Sequence, residues 1–214
     1  MKLRIASLSL LALCLAVVPA MADTYNNGPV NGQVDAWTIN FGFSVTDTVS
    51  MAGEAPTGLD FYAWVVPGDT ISNVQVSFGS AAFGTDIFNT VVNLTQSNCS
   101  SNSFGYNVCN ESGSISGAPA IGNAWITLQN ANVPSGDPVY WDENSGVGCT
   151  SPGCPSQAQE NTIGSIPSEA FTVIGGTSSS TSTSSSGTTP EPSSILLFGS
   201  GILGLAGVLR RKLF

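Results

Sequence analysis

WTINFGFSVTDTV, residues 37–49, decides the fold of this chain. Trp37, Ile39, Phe41 and Phe43 alternate with Thr38, Asn40 and Gly42, and residues 45–49 continue the pattern. A period of two is the signature of a strand with one face on a core and the other toward water. The same signal recurs outward from this stretch. Residues 61–66 form a second apolar run, closed by the turn Pro67-Gly68-Asp69. Ile71, Val74, Val76 and Phe78 make a third, and the β-branched residues of 87–94 a fourth. Residues 124–128, 139–141 and 170–174 complete the set, with Gly, Pro, Asn and Ser in every gap. No segment between the two ends carries a helical stripe. The pattern predicts an all-β domain, a β-sandwich of jelly-roll type, in which Trp37, Trp64 and Trp125 are core residues.

The two ends read differently. Lys2 and Arg4 precede an apolar run over residues 8–18, and Ala20-Met21-Ala22 supplies the small residues that signal peptidase needs. Residues 1–22 are therefore read as a secretory signal helix cut after Ala22, with Ala20 and Ala22 setting the cleavage site. At the other end an uncharged Leu- and Gly-rich run, residues 195–209, lies between Pro190-Glu191-Pro192 and Arg210-Arg211-Lys212. As a helix it is about 22 Å long, short of a hydrocarbon core about 30 Å thick. Ser193, Ser194 and snorkelling basic side chains extend it. The expectation is a C-terminal transmembrane helix, with Arg210, Arg211 and Lys212 held in the cytoplasm as a stop cluster. Residues 175–189, GGTSSSTSTSSSGTT, have no apolar side chain to order them and read as a disordered Ser/Thr-rich linker. Residues 23–174 remain as the exported domain.

Charge narrows the partners of that domain. All five basic residues lie in the terminal segments, and the chain has no His. Thirteen of the fourteen carboxylates lie in residues 23–174. Phosphate recognition needs Lys or Arg, so nucleic acid is excluded as a partner. Cations and neutral sugars remain. The same absence removes Ser-His-Asp and Cys-His pairs, Schiff-base lysines and Ser-Lys dyads. The domain is read as non-enzymatic; the alternative is a carboxylate pair drawn from Glu54, Asp60, Glu111, Asp142 and Glu143, acting on a carbohydrate. Four cysteines follow the signal: Cys99, Cys109, Cys149 and Cys154. An even count in an exported chain points to disulfides. Three pairings are open, and the local ones, Cys99–Cys109 and Cys149–Cys154, are favoured because each joins one polar segment.

The tail resembles a known signal. A Pro-Glu-Pro triplet, a short Leu/Gly-rich span and an Arg-rich end are similar to the PEP-CTERM sorting signal of Gram-negative bacteria, which also goes under the name of an ice-binding protein C-terminal domain. The resemblance covers residues 189–214. It implies that Pro190, Glu191 and Pro192 are recognised by an exosortase-like membrane protease. It further implies inner-membrane anchoring in transit, then delivery to the cell surface or exterior, in association with exopolysaccharide, matrix and biofilm. Four stretches, NNGPVNGQVDAWTINFGFSVTDT, FNTVVNLTQSNCS, GDPVYWDENSG and IPSEAFTVIG, resemble the exported bodies of other PEP-CTERM proteins and bring no activity with them.

Within the body the densest polar-aromatic stretch is residues 137–146. Tyr140 and Trp141 offer ring faces, and Asp142, Glu143 and Asn144 offer oxygens and an amide, so the loop is a candidate for holding a sugar. The same hard oxygens beside Gly146 make it the candidate for calcium and for calcium-dependent adhesion. No other cofactor is expected. Neighbours on a strand face opposite sides, so only one of Tyr140 and Trp141 reaches the surface.

Overall fold

The computed structural model describes residues 24–144 and 157–176. Contacts divide the chain into two units, Met1–Ser178 and Ser179–Phe214, and the second lies outside the described residues. The described residues form twelve strands. They are β1 Thr24–Asn26, β2 Ala36–Thr38, β3 Ser44–Val65, β4 Asn73–Gly79, β5 Phe88–Asn93, β6 Thr95–Ser101, β7 Asn107–Ser114, β8 Ile121–Asn132, β9 Tyr140–Asp142, β10 Ala158–Glu160, β11 Gly164–Ile166 and β12 Phe171–Gly176.

The all-β expectation holds, and every pairing is antiparallel. The strands join in one open sheet of order β1-β12-β3-β8-β4-β5, from which β7, β9 and β10 branch at β3. The pairing describes one continuous sheet, not two separate sheets of a jelly roll. The signal helix expected over 1–22 and the transmembrane helix expected over 195–209 lie outside the described residues. Among the described residues no helix is long and apolar enough to cross a membrane.

β3 organises the sheet. Its first half pairs with β8 from Ser44 to Ser50 and with β10 at Val45 and Thr46. Its second half pairs with β12, β7 and β9. Between the halves the register shifts from Ser50 to Glu54. Ala52 and Gly53 there have φ of 50° and 92°, so the strand bends as a bulge does. The sequence runs 45–49 and 61–66 are thus two ends of one strand.

The stretch that suggested the fold is itself divided. Residues 37–49 were expected as one alternating strand, but β2 ends at Thr38 and β3 starts at Ser44. The Phe43 N–H donates to the Asn40 carbonyl at 3.0 Å, and Phe41 and Gly42 have φ of 56° and 88°. The Asn40 side chain fixes this turn by donating to the Asp137 carbonyl at 2.9 Å and accepting from the Val139 N–H at 3.3 Å. Phe41 and Phe43 are therefore exposed, where the alternation placed them inside.

One cluster of buried apolar side chains draws on both halves of β3. Val45, Val76, Phe78, Ile126 and Leu128 come from the β8 side, and Leu59, Phe61, Trp141, Phe171 and Val173 from the β12 side. Each fully buried side chain of this size contributes about 1.5–3 kcal/mol. The last strand runs past Ile174: Gly175 and Gly176 pair with Pro56 and Ala55. Two residues read as linker are therefore part of the sheet.

Candidate functional site

The structure separates the residues of the predicted sugar or calcium loop. Trp141 is wholly buried, edge-on to Phe61 and Phe171 at ring-centroid distances of 6.2 and 5.4 Å. Its indole N–H donates to the Ala170 carbonyl at 3.2 Å. It has no face to offer a sugar. Asp142 is also wholly buried. It accepts from the Trp64 indole N–H at 2.5 Å and from the Asn31 and Gly32 N–H groups at 2.9 and 3.0 Å. Burial pushes its carboxyl up to about 6, against these bonds, which lower it. Asn144 is buried, and its side chain donates to the Asn27 carbonyl at 2.7 Å. The Asp142 oxygens are taken by N–H donors and the Asn144 amide is spent on buried carbonyls, so both are framework residues. Of residues 140–144, Tyr140 and Glu143 are half-exposed, and burial, then the nearby Asp35, raises the Glu143 carboxyl.

Behind this loop lies a buried polar cluster. Asp47 Oδ2 accepts from Asn27 Nδ2 and Ser168 Oγ, each at 3.1 Å, and from the Glu169 N–H at 2.8 Å. The Glu169 carboxyl is wholly buried, and among the described residues neither of its oxygens has a hydrogen-bond partner. Burial first, then Asp47, Asp142, Glu143 and Asp35, holds it well above the usual carboxylate range. Both causes favour the protonated form. Among the described residues, no three His, Cys, Asp or Glu side chains converge to hold a metal ion.

Tyr140 instead belongs to an aromatic terrace. Strand alternation puts Tyr140 on the face opposite Trp141, beside its cross-strand partner Trp64. Trp64 stacks on Phe104 at 5.5 Å and an interplanar angle of 24°, and tilts against Tyr106 at 6.2 Å. Tyr106 meets Tyr140 edge-on at 5.4 Å. Phe104, at the outer end, is 57% exposed. The buried carboxylate of Asp142 holds the indole of Trp64, and that indole carries the other rings.

The turn between β6 and β7 presents Phe104 and Tyr106. Asn102 Oδ1 accepts from both of their N–H groups at 3.0 Å, an Asx-type turn, and Gly105 supplies φ of 86°. Gln33 Oε1 braces it from the neighbouring loop by accepting from Ser103 Oγ at 3.0 Å. Cys99 and Cys109 form a disulfide across the same hairpin, as favoured from sequence. Cys149 and Cys154 lie outside the described residues. A cross-link closing so short a loop contributes about 2–3 kcal/mol. Paired Cys99→Ser and Cys109→Ser is therefore expected to lower stability by about that amount, measured by urea denaturation against the oxidised chain. Phe104 and Tyr106 were absent from the sequence-level site because the hairpin has no apolar alternation; SNSFGYN within a cysteine-bounded loop was the available signal.

Pro190, Glu191, Pro192, Arg210, Arg211 and Lys212, with Ala20 and Ala22, lie outside the described residues. The tail has a match of its own: a family model of the PEP-CTERM protein-sorting motif fits residues 188–212. This chain carries a PEP-CTERM sorting motif. The motif implies exosortase-dependent sorting to the exterior, with exosortase, a membrane protein, as the processing partner. It also implies membrane-anchored transit before surface release. No curated protein matches the chain. The PEP-CTERM match covers the tail alone, so the activity of the exported body rests on its own geometry.

Proposed function

We propose that this PEP-CTERM chain is a non-enzymatic surface or extracellular-matrix protein of a Gram-negative bacterium, and that its aromatic terrace contacts neutral sugars of the cell's own exopolysaccharide in matrix or biofilm. The observation that carries the reading is Phe104, exposed and stacked on a buried indole at the tip of a disulfide-closed turn. A rigid ring at a surface binds a sugar face at small entropic cost. The absence of Lys, Arg and His from residues 5–209 favours a neutral polymer over an acidic one. The contact needs no cofactor. A carboxylate-pair enzyme is disfavoured because Asp142 and Glu111 have no exposed surface.

In this reading the bend at Ala52-Gly53 brings the two halves of the sheet around their shared core as the sandwich expected from sequence. Signal cleavage after Ala22 leaves Asp23 one residue before β1, and the Ser/Thr-rich segment becomes the tether. Phe104→Ala is expected to weaken binding to exopolysaccharide from the producing cells by about tenfold. Isothermal titration checks this, with circular dichroism confirming an intact fold. Unchanged affinity in a folded variant would remove the terrace as the site.

A further inference from the structure

A second surface, on the other half of β3, carries a separate cleft. About 420 Å³ in volume, it is lined by Tyr25, Thr48, Ser50, Asn123, Trp125 and Gln157, among others. Pockets of about 300–1,000 Å³ suit small ligands. Its construction follows from register. Thr48 lies opposite Trp125, and Ser50 opposite Asn123, so these four side chains share one face of the β3–β8 ladder. Val49 and Ala124, between them, point into the core and are buried. On the neighbouring strand Trp125 faces Gly79, which offers no side chain. The loop after Gly79 folds back so closely that a Cβ there would meet the Gly84 backbone at 2.5 Å. Ser80 of this loop also lines the cleft. On the other side Gln157 is held by its N–H, which donates to Thr48 Oγ1 at 3.2 Å. Tyr25 is held by its hydroxyl, which donates to Asn27 Oδ1 at 2.9 Å.

The chemistry of the lining is specific. Among the described residues no carboxylate or base lines it. Trp125, expected in the core, is only half-buried, and its ring has no aromatic neighbour among the described residues. Its indole N–H, the Asn123 and Gln157 side-chain amides and the Ser50 hydroxyl stand at the cleft without hydrogen-bond partners among the described residues. An aromatic ring with neutral donors and acceptors around it matches the alternating C–H faces and hydroxyls of an uncharged sugar.

We propose that this cleft binds a short segment of a neutral glycan, with Trp125 as the ring and Ser50, Asn123 and Gln157 taking hydroxyls. The site is independent of the Phe104 terrace, and two such surfaces on one exported domain would bridge glycan chains.

The test follows the indole ¹H–¹⁵N resonance of Trp125 in the full exported chain, assigned through Trp125→Phe. The probes are cellotetraose, maltotetraose and isomaltotetraose, with tetragalacturonate as the acidic comparator. The expected result is a saturable shift with at least one neutral tetrasaccharide and affinity at least about tenfold lower for tetragalacturonate. The exposed Asn123→Ala variant should weaken the neutral binding, and Phe104→Ala should leave it unchanged. A Trp125 resonance that no neutral probe moves, or that tetragalacturonate moves equally, overturns the proposal. So does loss of the shift in Phe104→Ala. A Trp125 shift with undiminished polysaccharide affinity in Phe104→Ala would instead overturn the terrace and leave the cleft standing.

Discussion

Asp142→Ala is expected to destabilise the domain by about 3–5 kcal/mol, among the largest losses of any single substitution in it. Three N–H donors end on this one carboxylate, from the Trp64 side chain and the Asn31 and Gly32 backbone. All three would be left facing a small apolar cavity with no water to replace the oxygens. Gly32 has φ of 71° and packs against Val108, so its N–H cannot swing away cheaply. Asp142→Asn should cost less, because one oxygen still serves Trp64 while the new amide opposes the backbone donors. The expected order in urea denaturation is wild type, then Asn, then Ala. The same series should track the glycan binding proposed for the terrace, since a loosened Trp64 no longer fixes Phe104 and Tyr106. An Ala variant within about 0.5 kcal/mol of wild type would show that Asp142 does not organise this face.

Much of the sheet is legible in the sequence where a strand has one wet face. Val74, Val76 and Phe78 alternate and are all fully buried in β4. Residues 139–141 and 170–174 mark β9 and β12 to within two residues. β6 and β7, TQSNCSS and NVCNESGS, were missed because Ser and Asn fill about half of their positions and no apolar alternation runs through them. Their pairing with each other and with β3 holds them in place, without an apolar pattern of their own. The site was legible in one respect. Alternation required Tyr140 and Trp141 to face opposite ways, and Trp141 is the inner one. What alternation could not show is that Asp142, followed by Glu143 and Asn144, turns inward to hold Trp64. A run of oxygen donors reads as a ligand loop until the N–H groups aimed at it are known. Trp125 shows the converse error: an indole within a strand pattern was assigned to the core, and its face of β8 proved to be the outer one.

Glu111→Gln is expected to stabilise the domain by about 3 kcal/mol near pH 7 and to leave it nearly unchanged near pH 4. Glu111 lies in β7 with its side chain wholly buried, and among the described residues neither carboxyl oxygen has a hydrogen-bond partner. Burial raises its carboxyl from the ordinary 4.5 to about 8. Below about pH 4.5 the folded and unfolded chains both hold the proton, and the group costs nothing in charge. Between about 4.5 and 8 the unfolded chain releases a proton that the folded chain keeps, so stability falls by about 1.4 kcal/mol per pH unit. Above that range the loss is complete and constant. Glu169 acts with the same sign, and so does Asp142 between 3.8 and about 6. A domain without a single basic side chain has no ion pair with which to offset these burials. These three groups should therefore cost the fold least in mild acid and progressively more as pH rises through their raised values. Denaturation midpoints for wild type and Glu111→Gln at about pH 4, 6 and 8 check this, with a shallower slope expected in the variant because Glu169 and Asp142 still titrate. A difference between the two chains that does not grow from pH 4 to pH 8 would mean that Glu111 is not held neutral in the fold. A wild-type chain that gains stability across that range would mean the same for Glu111, Asp142 and Glu169 together.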